Sequence, residues 1–361
     1  AEIVTDQLRA ACDQSQCALV YDMLIRWLLN IPEAAALPLH DVLHYAAEKV
    51  FTRLLEQDDR ALARAFLLDA QKSHPSLQMH RALPQLVHAA QPTVRDDAQF
   101  AQLLLALGAE HLPAGAFQGM LRDPELTRHF PADFRAALNT LQGDPRATAP
   151  SGLLERAGKP FGDMGPLMVA RLAEWAMYVR RTDLMDTATL RALLALARSP
   201  RGDSATLIPH ITREFMEMAP FVNLAPPGPQ ILCELLLETR QYDRAISFLE
   251  RCQNELFGGA RLGEFTRFAA SVIQPLSLPA AQLVKALQRL DGSRLRSEPR
   301  TAMLQTALSS RQWNGELHDA AERLTNLIYE RPALIRIAGT ENILKLLSYH
   351  ARTQNGLNAL R

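Results

Sequence analysis

Apolar residues recur along this chain at three- and four-residue intervals, the mark of helices that bury one face. The clearest unit spans residues 229–257. Ile231, Leu232, Leu235 and Leu236 fall on one helical face; after a polar joint at Thr239, Arg240 and Gln241, the residues Ala245, Ile246, Leu249, Cys252 and Leu256 fall on another. This pattern predicts a helix-turn-helix hairpin, and the rest of the chain repeats its plan. Residues 5–30 predict one long amphipathic helix with Thr5 as its N-cap, stopped by Pro32. Further helices are expected over 39–57, 59–72, 83–90, 97–108, 114–122 and 131–142, then over 167–180, 187–197 and 208–218. After the hairpin come 263–273, 279–290, 299–309, 317–329 and 341–350. The alternation of a half-buried strand never persists beyond a few residues. The expected fold class is all-α: antiparallel helix pairs, joined by short turns and stacked as an α-solenoid or irregular helical bundle in two lobes.

Between 143 and 166, Gly and Pro recur every few residues and only Leu153 and Leu154 are strongly apolar, so a flexible joint is expected there. It would separate an N-terminal helical domain, 1–142, from a C-terminal helical-repeat domain, 167–361. With 361 residues, 48% hydrophobic and 22% charged, the chain has enough apolar surface to fold as two domains or as an array whose units pack on their neighbours. Charge is balanced, with 39 Lys and Arg against 39 Asp and Glu, which withholds the bulk attraction on which nucleic-acid binders rely. Cys12, Cys17, Cys233 and Cys252 are too few for a disulfide framework and read as reduced thiols, which suits the cytoplasm or another reducing intracellular compartment. No window approaches the roughly 18 apolar residues of a membrane span. The chain opens on Ala1 rather than Met, as a trimmed or processed chain would.

Arg240-Gln241-Tyr242-Asp243-Arg244-Ala245-Ile246, followed by Phe248 and Leu249, resembles the helix junction of a tetratricopeptide-type repeat, where a Tyr follows the turn and a small residue lies three positions further on. The resemblance is confined to 229–257. No strict period of about 34 residues recurs elsewhere, and the Trp-Leu-Gly-Tyr signature of that family's first helix is absent. HEAT-like stacking, with its more variable repeats, fits the same residues. The resemblance implies a degenerate α-helical repeat whose surface binds another protein through a helix or peptide segment.

Candidate chemistry is sparse. His40 and His44 stand one helical turn apart, with Glu48 a turn further on, a spacing at which two imidazoles can share a zinc ion; Asp41 stands where a zincin carries Glu, and no third ligand follows. His210 and Glu214 form a similar pair of the kind every helix surface produces. Cys12 lacks the adjacent His or cation that would activate a thiol and reads as a small core hydrophobe. The glycines of 258–263 follow a helix and lack the Gly-Lys-Ser/Thr ending of a phosphate loop, so they read as a helix cap and turn. No catalytic residue, metal ligand or cofactor is therefore expected. Arg289, Arg294, Arg296 and Arg300 surround the turn 290–299 as a candidate anion-binding rim, and Arg180 and Arg181 form a second basic pair. Trp27, Trp175 and Trp313 are expected in the core.

The function these residues imply is a non-catalytic protein–protein interaction scaffold or adaptor, with Arg240, Tyr242, Arg244, Arg251 and Asn254 as partner-binding residues. One alternative is a helical-fold enzyme or bacterial effector acting on a host protein, centred on Cys12 or on His40 and His44. A second is an RNA-binding helical repeat using Arg294 and Arg296; balanced charge and an aromatic fraction of 6% argue against it.

Overall fold

Helices form where the apolar period runs, and no strand occurs among the described residues. The computed structural model describes residues 2–31, 38–93, 97–143, 148–218, 224–258, 261–273, 289–290 and 292–309. The expected helices over 317–329 and 341–350, Trp313 and all but the last two residues of the expected helix 279–290 lie outside them. The chain divides into two units: Ala1–Ala147 with Leu153–Trp175, and Thr148–Gly152 with Ala176–Arg361.

The first unit contains α1 (Glu2–Ala11), α2 (Cys17–Asn30), α3 (Leu39–Glu56), α4 (Arg60–Lys72), α5 (Leu83–Ala90), α6 (Ala98–His111), α7 (Ala114–Leu121), α8 (Pro124–Thr127), α9 (Ala132–Gln142), α10 (Leu153–Gly158) and most of α11 (Gly165–Tyr178). Aspartates start several of them. Asp59 accepts the amide of Leu62, Asp97 those of Gln99 and Phe100, and Asp123 those of Glu125 and Leu126, so each satisfies donors that the first turn leaves open.

The stretch 5–30 is not one helix. A π-helical segment, Cys12–Gln16, interrupts it, with Ser15 at φ 78°, and Thr5 lies inside α1 rather than capping it. Tertiary contacts hold the break. Arg53 donates to the Ser15 carbonyl at 3.0 Å, Tyr45 donates to Asp13 at 2.6 Å, and Lys49 sits 3.5 Å from the same carboxylate. All three partners lie on α3.

Within the Gly- and Pro-rich stretch, residues 148–166 include packed segments. Leu153, Leu154 and Ala157 are buried, α10 packs on α9, and a 3₁₀ segment, Lys159–Met164, places Phe161 against Phe130 and Phe134 at ring distances of 5.3 and 5.5 Å. Gly158 and Gly165 serve close approach. A Cβ on Gly158 would stand 2.6 Å from Val169 Cγ2 and 2.8 Å from the Gly165 carbonyl, so only glycine lets α10 meet the start of α11.

Arg171 joins α11 to α6. Its side chain is buried, its Nε and Nη2 donate to the carbonyls of Ala109 and Leu112 at 2.8 and 3.0 Å, and Glu174 balances its charge at 3.1 Å. The fork thus satisfies carbonyls at the end of α6 and places a cation at its negative pole.

The second unit holds α12 (Thr187–Arg198), α13 (Ser204–Met218), α14 (Gly228–Glu238), α15 (Tyr242–Arg251), α16 (Leu262–Ile273) and α17 (Ser297–Ser309). α12 packs on α14, α14 on α15 and α16, and α16 on α17. The predicted hairpin is α14 and α15, and its turn is a Schellman closure: the Gln241 amide donates to the Leu236 carbonyl and the Arg240 amide to that of Leu237, with Arg240 at φ 62°. α3 ends the same way at Asp58 (φ 54°), and α11 at Arg180 (φ 59°). Glycine is the usual occupant of that left-handed position.

Two stability predictions follow from these helix ends. Arg171→Lys, which keeps the charge but loses the fork, should cost about 2–4 kcal/mol in a urea titration. Arg240→Gly should raise stability by about 1 kcal/mol by removing the left-handed strain of a Cβ residue, read as a higher denaturation midpoint.

Candidate functional site

The residues singled out for binding cluster around the α14–α15 hairpin. Arg240 is exposed at the turn, Tyr242 opens α15 half-buried, and Arg244, Arg251 and Asn254 are exposed at helical spacing along α15 and the π-helical segment Cys252–Phe257 that continues it. The opposite face, carrying Ala245, Phe248, Leu249 and Cys252, is buried. Burial raises the Tyr242 phenol above its ordinary pKa.

Polar contacts hold the joint. Gln241 donates to Thr212 on α13 at 2.8 Å and to Thr239 at 2.9 Å, while its carbonyl accepts from Arg244 at 2.8 Å. Arg251 pairs with Glu255 at 3.5 Å along the helix. Beside Arg240 opens a notch of about 270 Å³, lined by Ala197, Pro200, Ala205, Ile208, Glu238 and Thr239. Nothing in the hairpin's own sequence announces it, because Ala197 to Ile208 belong to the α12–α13 corner. The available signal is the small-residue and proline run Ala197, Ser199, Pro200, Ser204 and Ala205, which leaves space between two helix ends.

The basic rim lies against the same hairpin. The segment preceding α17 is fastened to α15 and to the π-helical segment that continues it: the Arg294 amide donates to Glu250 at 2.6 Å, the Arg296 amide to Gln253 at 2.8 Å, and Arg289 stands 3.6 Å from Asp243. Arg294 and Arg296 keep exposed side chains, and Arg300 is half-buried on α17. An anion approaching the loop backbone would compete with Glu250 already there. Of the second basic pair, Arg180 is exposed, whereas Arg181 is buried and forked onto Asp183 with two contacts of 2.8 Å; that hydrogen-bonded pair holds the Asp183 carboxyl below its usual pKa.

Cys12 is buried, and His40 and His44 each hydrogen-bond a main-chain carbonyl. All four cysteines are buried free thiols. Burial pushes Cys12 up, Cys233 well up and Cys252 to about 12, against the ionised form a nucleophile needs. Lys49 and Arg53 pull Cys12 the other way, but less strongly than burial. His40 Nε2 lies 2.7 Å from the Ser76 carbonyl, and His44 Nε2 3.3 Å from that of Leu77. A carbonyl only accepts, so both Nε2 atoms carry the proton and the pair clips α3 to the 3₁₀ turn Pro75–Leu77. Their ring centroids are 6.5 Å apart, and Glu48 is exposed. Among the described residues, no group of three or more His, Cys, Asp and Glu gathers as a metal site. Trp175 is fully buried and Trp27 half-buried.

Burial lowers the His44 pKa, with the Leu77 carbonyl opposing the shift. The unfolded chain, whose His titrates near about 6.5, therefore takes up this proton first. Stability from neutral His44 is present above that pH and is lost as pH falls through the lower folded value. The urea midpoint should drop between about pH 7 and pH 5, and His44→Gln should flatten that dependence; an unchanged slope would refute the assignment.

No protein-family model matches the chain, and no curated protein does. Among solved structures the chain is similar to one described as a circular tandem repeat protein with novel repeat topology and enhanced subunit contact surfaces, at 12% identity over 99% of this chain and 86% of that one, with a TM-score of 0.22. At that level the likeness carries no argument, and the all-α assignment rests on the helices themselves.

Proposed function

We propose that the chain is a non-catalytic scaffold that binds a partner protein through the α14–α15 hairpin, read as a degenerate tetratricopeptide- or HEAT-like unit. The observation that carries this reading is the notch beside Arg240. A cavity of about 270 Å³ with Ala197, Pro200, Ala205 and Ile208 in its walls has room for one apolar anchor side chain. Arg240 at its edge, followed by exposed Arg244 and Arg251, favours a segment whose anchor is flanked by acidic residues. Tyr242 adds a half-buried aromatic surface of the kind that dominates binding energy when a partner covers it.

The test is capture of partners from native extract by the intact chain and by two surface variants. Ala205 is exposed, so Ala205→Arg fills the notch without disturbing the core. Arg244→Glu reverses charge on the outer row. Each should weaken a stoichiometric partner at least about tenfold, equivalent to about 1.4 kcal/mol. A partner held equally by both variants would remove the hairpin from the interface.

A further inference from the structure

A charge imbalance marks a cleft of about 470 Å³ in the first unit, between the α7–α8 corner and α9. Arg122, Arg128 and Arg135 line it, together with Asn139 and Gln142, and no Asp or Glu is among its lining residues. In a chain with equal numbers of acids and bases, this follows from where the neighbouring carboxylates are committed. Asp123 caps α8 through the amides of Glu125 and Leu126 and accepts from Gln91. Glu125 pairs with Arg128 at 2.7 Å, and Asp133 turns away to Arg156 at 3.3 Å. Arg122 and Arg135 have no carboxylate within ion-pair distance among the described residues. Arg122 lies over the Trp175 ring, 5.4 Å from its centroid, which places the guanidinium without neutralising it.

The helix register explains why these groups share one cleft. On α9 the residues Ala132, Arg135, Ala136 and Asn139 recur at helical spacing toward the cleft, while Phe134, Ala137 and Leu141 are buried on the other side. Leu121, Pro124, Ala136 and Leu138 supply apolar wall between the cationic groups. The site therefore combines two uncompensated guanidiniums, side-chain amides and a hydrophobic lining.

We propose that this cleft binds a phosphate monoester attached to an apolar body. A dianionic phosphate matches the two unpaired positive charges, its oxygens suit the forked geometry of Arg, and the apolar walls receive the group that carries it. The monoester can belong to a free small molecule or to a phosphorylated side chain of a partner. This site is independent of the hairpin and its notch, which lie in the other unit.

Calorimetric titration of the full chain with phenyl phosphate at low ionic strength tests the proposal, with benzoate as the ring bearing one charge. Phenyl phosphate should bind at least tenfold more tightly, and its affinity should rise as pH increases through about 6, where the monoester loses its second proton. Arg122→Gln with Arg135→Gln changes only exposed side chains, so the double variant should unfold at a midpoint close to that of the parent chain and bind phenyl phosphate at least tenfold more weakly. Equal binding of benzoate and phenyl phosphate, or affinity unchanged in the double variant, would overturn the proposal. A phosphoserine peptide with apolar neighbours separates the two sources: tighter binding than phenyl phosphate assigns the site to a phosphorylated partner, and weaker binding assigns it to a free ester.

Discussion

An α-helix leaves its last carbonyl groups without partners inside itself, and a chain built from short helix pairs meets that deficit at every turn. At three helix ends here the deficit is met by backbone geometry. α3, α11 and α14 each finish in a Schellman turn whose left-handed position holds Asp58, Arg180 or Arg240 rather than glycine. At α6 a side chain does the work instead, the buried Arg171 fork reaching two carbonyls from a helix about sixty residues later. Because the closure fixes the direction in which the chain leaves, it also fixes which residues stand at the corners. Arg240 borders the notch because it is the residue at such a corner.

The two candidate surfaces share a physical logic. In each, acidic side chains near the site are engaged in caps, cross-helix pairs or backbone contacts, and arginines face open space. Around the hairpin, Glu250 and Asp243 fasten the loop before α17, while Arg244 stays exposed. Around the cleft of the first unit, Asp123 caps α8, Asp133 pairs with Arg156 and Glu125 pairs with the cleft's own Arg128. Balanced composition therefore does not mean balanced surfaces, since what a ligand meets depends on which charges are already paired.

Cys12 and the His40–His44 pair, the centres of the alternative enzyme reading, are held by their surroundings. Burial raises the pKa of Cys12, Cys233 and Cys252, and the Nε2–H groups of His40 and His44 donate to main-chain carbonyls. Their spacing was visible in the chain, but their chemistry depends on neighbours from distant segments: the 75–77 turn for the histidines and α3 for Cys12.

The sequence by itself determined the helices, because a helical face is a local property: periodicity over about ten residues placed α3, α4, α5, α9 and the α14–α15 hairpin to within a residue or two. It also placed Arg240, Arg244, Arg251 and Asn254 on exposed positions, since they fall opposite the apolar stripe. It read 5–30 as a single helix, where contacts from α3 hold a π-helical break, and composition alone did not reveal that Gly158 lets α10 pack closely on the start of α11. Only the tertiary structure decided that Ala205 and Ile208 meet Arg240, or that Arg122 and Arg135 share a cleft emptied of carboxylates. Those facts depend on how separate helices stack and which charges pair across them, and no local period encodes either.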